Sequence, residues 1–321
     1  MSVELTKTNA IETHHLTKRY QGLTAVDNLN LSISPGTLYG FIGPNGAGKT
    51  TTIRMLAGLL SPTSGDILIN GESIAKNPQR ARWLVGYMPD FFGVYDDMKV
   101  WEYLDFFARC YSLPAKRRLA VIDELLNLVE LFEKRDAFVE SLSRGMRQRL
   151  CLAHALVHDP KILLLDEPAS GLDPRARIEM RELLRELGRM GKTVLISSHI
   201  LSELAEMCDA VGIIERGKLL ASGRVEEIAR AASADKLLHV QLLQMDEQTV
   251  QDASAALKAY SGVNDVFETE NGLEVVFTGD NNATSGLLRH LVEQNVPVLS
   301  FAEATSNLEE IFLKVTKGQV Q

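Results

Sequence analysis

The chain has 321 residues of ordinary soluble composition, enough for one or two domains around a sizeable core. Its net charge of −8 is local: residues 232–321 hold 13 acidic and 5 basic residues, while the remainder balances 29 against 29. That asymmetry marks a chain in two parts and argues against nucleic acid or anionic lipid as partner of the second part.

In chain order, Ile11–Arg19 and Val26–Ile33 read as strands around a turn at Gly22. Tyr20 beside that turn reads, from spacing alone, as a half-buried aromatic at a strand end, with nucleobase stacking as the alternative. Leu38–Ile42 reads as a buried strand and Thr52–Ala57 as a helix. Between them, Gly43-Pro44-Asn45-Gly46-Ala47-Gly48-Lys49-Thr50-Thr51 fits the phosphate-loop spacing of Gly, four residues, then Gly-Lys-Thr. The chemistry needs these types: glycines let the backbone curl around an anion, and helix N-terminal N–H groups bind it. Lys49 then reaches the outer phosphates and the Thr50 hydroxyl serves Mg²⁺.

Ser61–Gly65 reads as a turn, Asp66–Gly71 as an edge strand with a second turn, and Arg82–Met88 as a strand ending at Pro89-Asp90. Phe91–Tyr95 is aromatic. From Val100 to Glu133 the apolar spacing is helical, broken at Leu113-Pro114, with Leu119, Ile122, Leu125, Leu126 and Val129 as a core stripe. Leu142-Ser143-Arg144-Gly145-Met146 opens a helix to about His158, where Ser143 reads as an N-cap or an anion contact. His154 and His158 stand four apart, but without a third ligand they read as a helix face, not a metal site. Cys110, Cys151 and Cys208 form no Cys-x-x-Cys pair and read as reduced thiols.

Ile162–Leu165 runs straight into Asp166-Glu167, the pattern of a buried parallel strand with acids at the end where ligands sit. Asp166 there can hold Mg²⁺ through water, and Glu167 can polarise an attacking water. Ser170–Pro174 is a turn before an amphipathic helix, Arg175–Arg189, and Thr193–His199 is a further buried strand. A lone histidine is usually structural, but His199 ends a buried strand in the sheet that should carry the phosphate loop, which favours a γ-phosphate contact. Strands at 210–215 and 218–222 follow, then a small-residue connector at 229–236. Residues 237–303 read β-α-β-β-α-β, a ferredoxin-like unit, with a closing helix at Leu308–Val315 and no catalytic constellation.

Taken in order, these motifs resemble the ATP-binding subunit of an ABC transporter over about residues 11–225. The remainder is similar to the extension on ATPase subunits of type-2 ABC exporters. The resemblance implies an α/β fold: an ABC-type P-loop NTPase core, mostly parallel, with antiparallel and helical subdomains, plus a small ferredoxin-like α+β domain. It implies a nucleotide-binding domain at 1–228 with a helical part about 91–160, a linker at 229–236 and an accessory domain at 237–321. Implied roles are ATP and Mg²⁺ as cofactors, Glu167 and His199 in hydrolysis, and Tyr20, residues 43–51 and Asp90 on ATP. Thr50, Asp166 and Asp90 are its metal positions; 142–146 is its signature segment, acting on the nucleotide of a second subunit, and Asp173 lies in its dimer loop. The partners implied are a membrane-spanning permease and a second nucleotide-binding subunit, on the cytoplasmic side of the membrane, with no nucleic acid. The aromatic-rich stretch Phe91–Phe107 is the candidate docking surface for the permease, with core packing of its aromatics as the alternative. Two departures stand out: Asp90 replaces the family's Gln, and Arg144 and Met146 alter Leu-Ser-Gly-Gly-Gln. An ABC-type ATPase on ribosomes or DNA is the rival, disfavoured by a single motif set and no long heptad run. A non-hydrolytic nucleotide-gated module is another, disfavoured by Glu167.

Overall fold

The computed structural model describes residues 8–303 apart from 75, 91–92, 94–96, 226, 229–235 and 270. The chain divides into two compact units, residues 1–224 and 225–321.

The first unit holds two sheets. Strands β1 (Ile11–Tyr20), β2 (Leu23–Ile33), β4 (Ser64–Ile69) and β5 (Glu72–Ser73) form an antiparallel sheet in the order β2-β1-β4-β5. Strands β3 (Leu38–Ile42), β6 (Val85–Met88), β7 (Ile162–Asp166), β8 (Thr193–Ser198), β9 (Ala210–Glu215) and β10 (Lys218–Arg224) form the second, ordered β10-β9-β3-β8-β7-β6. All its pairings are parallel except β10 with β9. Every residue of β3, β7 and β8 is buried, as expected for parallel strands covered on both faces. Helix α1 (Lys49–Leu56) joins the two sheets: Ile53, Met55 and Leu56 share one core with Ile11, Leu29 and Ile67 from the first and Leu164 and Leu195 from the second. Each such side chain contributes roughly 1.5–3 kcal/mol of burial.

Helix α2 (Pro78–Leu84) precedes β6, and α3 (Val100–Cys110), α4 (Ala115–Leu128) and α5 (Arg144–Leu156) build the helical part before α6 (Pro174–Arg189) and the short α7 (Leu201–Ala205). The break at Leu113-Pro114 separates α3 from α4, with Pro114 as the N-cap of α4. In the second unit β11 (Lys236–Leu242), β12 (Val263–Thr269), β13 (Gly272–Phe277) and β14 (Val298–Glu303) form an antiparallel sheet ordered β12-β13-β11-β14. Helices α8 (Glu247–Lys258) and α9 (Asn281–Glu293) supply Ala253, Leu257, Leu287 and Leu291 to its core. This is the β-α-β-β-α-β unit with ferredoxin-like strand order.

Some expectations are corrected. Arg82–Leu84 is the end of a helix, because Pro78 opens α2 at its first turn and leaves the strand only Val85–Met88. Strand β4 is not an edge: β1 and β5 pair on either side of it. Leu119 is 52% exposed, while Ile122, Leu125, Leu126 and Val129 are buried. Lys236, assigned to the connector, begins β11. The rest of the connector, the aromatics at 91, 92 and 95, and the closing helix at 308–315 lie outside the described residues.

Candidate functional site

Parallel pairing brings the strand ends to one edge. Ile42 lies opposite Ser198, Asp166 opposite Ser197, and Met88 opposite Leu165, so the segments after β3, β8, β7 and β6 emerge together. The phosphate loop leaves β3 there and turns into α1. Gly43 N–H donates to the Ser198 carbonyl at 3.3 Å, and Gly217 N–H braces the Ala47 carbonyl at 2.9 Å. Gly48 has φ +108 and abuts Ala25, whose oxygen would lie 2.5 Å from an added Cβ. Only glycine fits both constraints. No side chain caps the N-terminus of α1, so it presents backbone N–H groups with the positive end of the helix dipole.

Lys49 is buried at 6% exposure, a costly place for an ammonium unless it is partnered. It donates to the carbonyls of Gly43 at 2.6 Å and Pro44 at 3.2 Å, and stands 3.4 Å from Glu167 Oε1. The other Glu167 oxygen, Oε2, lies 2.9 Å from His199 Nδ1. One carboxylate is thus held between a cation and an imidazole at the loop's mouth. Glu167 sits at φ +50, a backbone state its neighbours must enforce.

Ser197 is such a neighbour, and the sequence reading missed it. Its fully buried hydroxyl donates to Asp166 Oδ1 at 2.7 Å and accepts the Glu167 N–H at 3.0 Å. One serine therefore orients both acids. The available signal was a hydroxyl at the end of an otherwise apolar strand, but linking it to Asp166 requires the register of β8 on β7. Asp166 Oδ2 is buried without a hydrogen-bond partner among the described residues. A lone buried carboxylate oxygen beside a phosphate loop suits a divalent cation and its waters, so the donor set fits Mg²⁺.

Asp90 follows β6 at the same edge. Burial, then the nearby carboxylates of Asp166 and Glu167, raises its pKa; Arg144 and His199 offset part of this. Tyr20, 48% exposed, ends β1 with Lys18 Nζ 5.3 Å from its ring centre. Its hairpin is the one whose Ala25 abuts Gly48. Thr50 and Thr51 lie in the first turn of α1. Ser143 caps α5, its hydroxyl accepting the Met146 N–H at 3.3 Å, and Asp173 caps α6 by accepting the Ala176 N–H at 2.9 Å. Leu142 is buried under that cap, and the segment's contacts run to the 170–173 loop.

The two helix histidines pack against aromatic rings. His154 stacks on Phe107 at 3.7 Å and His158 on Tyr111 at 3.9 Å, and burial lowers both pKa values to about 4. Among the described residues no group of three or more His, Cys, Asp or Glu could hold a metal, and no helix is long and apolar enough to cross a membrane.

Comparison with known proteins identifies the family. Residues 26–170 match the family model for ABC transporters, and residues 223–316 match that for the C-terminal domain of DrrA1-3-like ATP-binding proteins. The chain is 35% identical to Nod factor export ATP-binding protein I of Ralstonia nicotianae, covering 95% of this chain and 93% of that one. It is 37% identical to the bacitracin transport ATP-binding protein BcrA of Bacillus licheniformis, over 96% and 97% of the two chains. Among solved structures, an ATP-binding subunit of an ABC transporter superposes with TM-score 0.63 at 30% identity, over 70% of this chain and 93% of that one.

Proposed function

The chain belongs to the ATP-binding subunits of the ABC transporter family, and from that premise we propose how its residues hydrolyse ATP and drive export through a separate membrane-spanning partner. The observation that carries the reading is Glu167, one residue past Asp166 and held between Lys49 and His199. The N–H groups of the 43–51 loop and the Lys49 ammonium hold the β- and γ-phosphates, while the exposed Tyr20 ring stacks on adenine. Glu167 orients a water and accepts its proton as the water oxygen attacks the γ-phosphorus and the ADP oxygen leaves. His199, bonded to Glu167 Oε2, fixes the carboxylate and meets the γ-phosphate. Thr50 and Asp166, with Asp90 at the same edge, hold Mg²⁺, which when bound neutralises phosphate charge.

Two such subunits close head to tail over two ATP molecules, with Ser143 and Gly145 of one facing the nucleotide of the other and Asp173 at the seam. The subunit works peripherally on the cytoplasmic face, and substrate choice resides in the membrane partner. The name of the Nod factor export relative supports export as the direction, and that of the bacitracin relative supports transport.

Phosphate release by Glu167→Gln tests this. Turnover falls by about 10² to 10⁴ because the base is lost, while a fluorescent-nucleotide titration gives unchanged ATP affinity. Near-normal turnover removes Glu167 from the catalytic role.

A further inference from the structure

The segment 142–146 carries an arginine at its third position, and its side chain runs to the loop that follows Glu167. Arg144 Nη2 donates to the Ser170 carbonyl at 3.1 Å. Gln148, one turn further along α5 and buried, donates Nε2 to the same oxygen at 3.1 Å. One carbonyl thus takes two donors from positions i and i+4 of a single helix face. The guanidinium also rests against Gly171: a Cβ built there would lie 2.4 Å from Arg144 Cζ. Gly171 has φ +65, a left-handed state that glycine adopts without strain, and its Cα faces the guanidinium directly. Gly145 closes the seam, its built Cβ falling 3.1 Å from Ala176 Cβ and 3.6 Å from Leu172 Cδ2. The first turn of α5 is therefore seated along the loop and into the first turn of α6.

That loop begins at the residue with the chemistry. The Glu167 carbonyl accepts the Ser170 N–H at 3.0 Å, so the Ser170 peptide is anchored to Glu167 on one side and to Arg144 and Gln148 on the other. Glu167 itself occupies a left-handed backbone state that needs outside support. The same guanidinium lies within electrostatic reach of Asp90, at the end of β6.

We propose that Arg144 is a positioning residue for hydrolysis: with Gln148 it clamps the 170–173 loop of its own subunit and so fixes the backbone that presents Glu167. The inference rests on the reading of Glu167 as the catalytic base. It acts within one subunit, distinct from the contact of Ser143 and Gly145 with a second subunit's nucleotide. Glycine at this position removes the donor and leaves Ser170 with Gln148 alone. Lysine keeps the charge without the planar fork and restores part of the clamp.

The test uses the full chain as wild type, Arg144→Gly and Arg144→Lys, with two readouts. Without nucleotide, amide exchange at residues 170–172 speeds by about tenfold in Arg144→Gly and by less in Arg144→Lys. With ATP, kcat of Arg144→Gly falls by about tenfold while KM stays within about twofold, the mark of lost positioning without lost binding. Unchanged exchange in the loop overturns the clamp. Faster exchange with unchanged kcat overturns its role in the reaction. A raised KM with unchanged exchange assigns Arg144 to nucleotide recognition instead. Failure of the Glu167 reading shows separately, as normal turnover in Glu167→Gln.

Discussion

The parallel sheet of the first unit and the antiparallel sheet of the second use their strands in opposite ways. Strands β3, β7 and β8 are buried along their whole length, and the phosphate loop, Asp166, Glu167, Ser197 and His199 lie at or just past one end. In the second sheet β12 has no buried residue and β13 alternates through most of its length, so charge spreads over a face; His239 and Glu274 pair across β11 and β13 at 3.5 Å. Parallel pairing sends successive strand ends to the same edge, and Gly43, Asp90, Glu167 and His199 collect there although far apart in sequence. Antiparallel pairing sends them alternately to both edges. The difference accounts for reactive groups that collect in the first unit, while the excess negative charge lies in the sequence of the second.

The strongest way to break this comparison is Lys49→Ala. It removes the buried ammonium at the parallel edge, and ATP affinity falls by about 10²-fold, the worth of a charge-assisted hydrogen bond of roughly 3 kcal/mol. A fluorescent-nucleotide titration with unchanged affinity would place the phosphates elsewhere. A smaller effect concerns stability. His154 and His158 bind protons less readily folded, near pH 4, than unfolded, near pH 6.5. The unfolded chain therefore takes up protons first as pH falls, so the stability from these residues is complete above pH 6.5 and lost toward pH 4. The urea midpoint of wild type drops between pH 7 and pH 5, and His154→Gln flattens that drop; equal slopes in both proteins would contradict burial as the cause. The smallest effect is expected from removing the second unit. A chain ending at residue 228 keeps its own core and all the proposed nucleotide contacts. Its ATP affinity stays within about twofold. If it folds by circular dichroism yet cannot bind ATP, the division of labour between the sheets is wrong.

Much of this was legible in the sequence, for local reasons. Runs such as Ile162–Leu165 and Val194–Ile196 are apolar and then turn polar, and both the strands and the site residues at their ends follow from that pattern. The start of β6 was not legible, because Trp83-Leu84 carries the apolar run from helix α2 into the strand without a polar boundary. The interior place of β4 depends on which strand pairs beside it, and that is a tertiary fact. The same holds inside the site. Lys49, Glu167 and His199 announce themselves by residue type, whereas Ser197 and Arg144 matter through partners 31 and 26 residues away. Their chemistry is ordinary until the fold supplies the acid or the carbonyl.

The most direct test of the central claim, that ATP bound at the parallel edge closes two subunits and Glu167 opens them again by hydrolysis, is the mass of Glu167→Gln in solution. Size-exclusion chromatography with light scattering is run with Mg-ATP and with Mg-ADP. The account predicts a dimer with Mg-ATP and a monomer with Mg-ADP, because the phosphate loop and Lys49 still bind ATP while its cleavage is blocked. A mutant that binds ATP, does not cleave it and remains a monomer would contradict it.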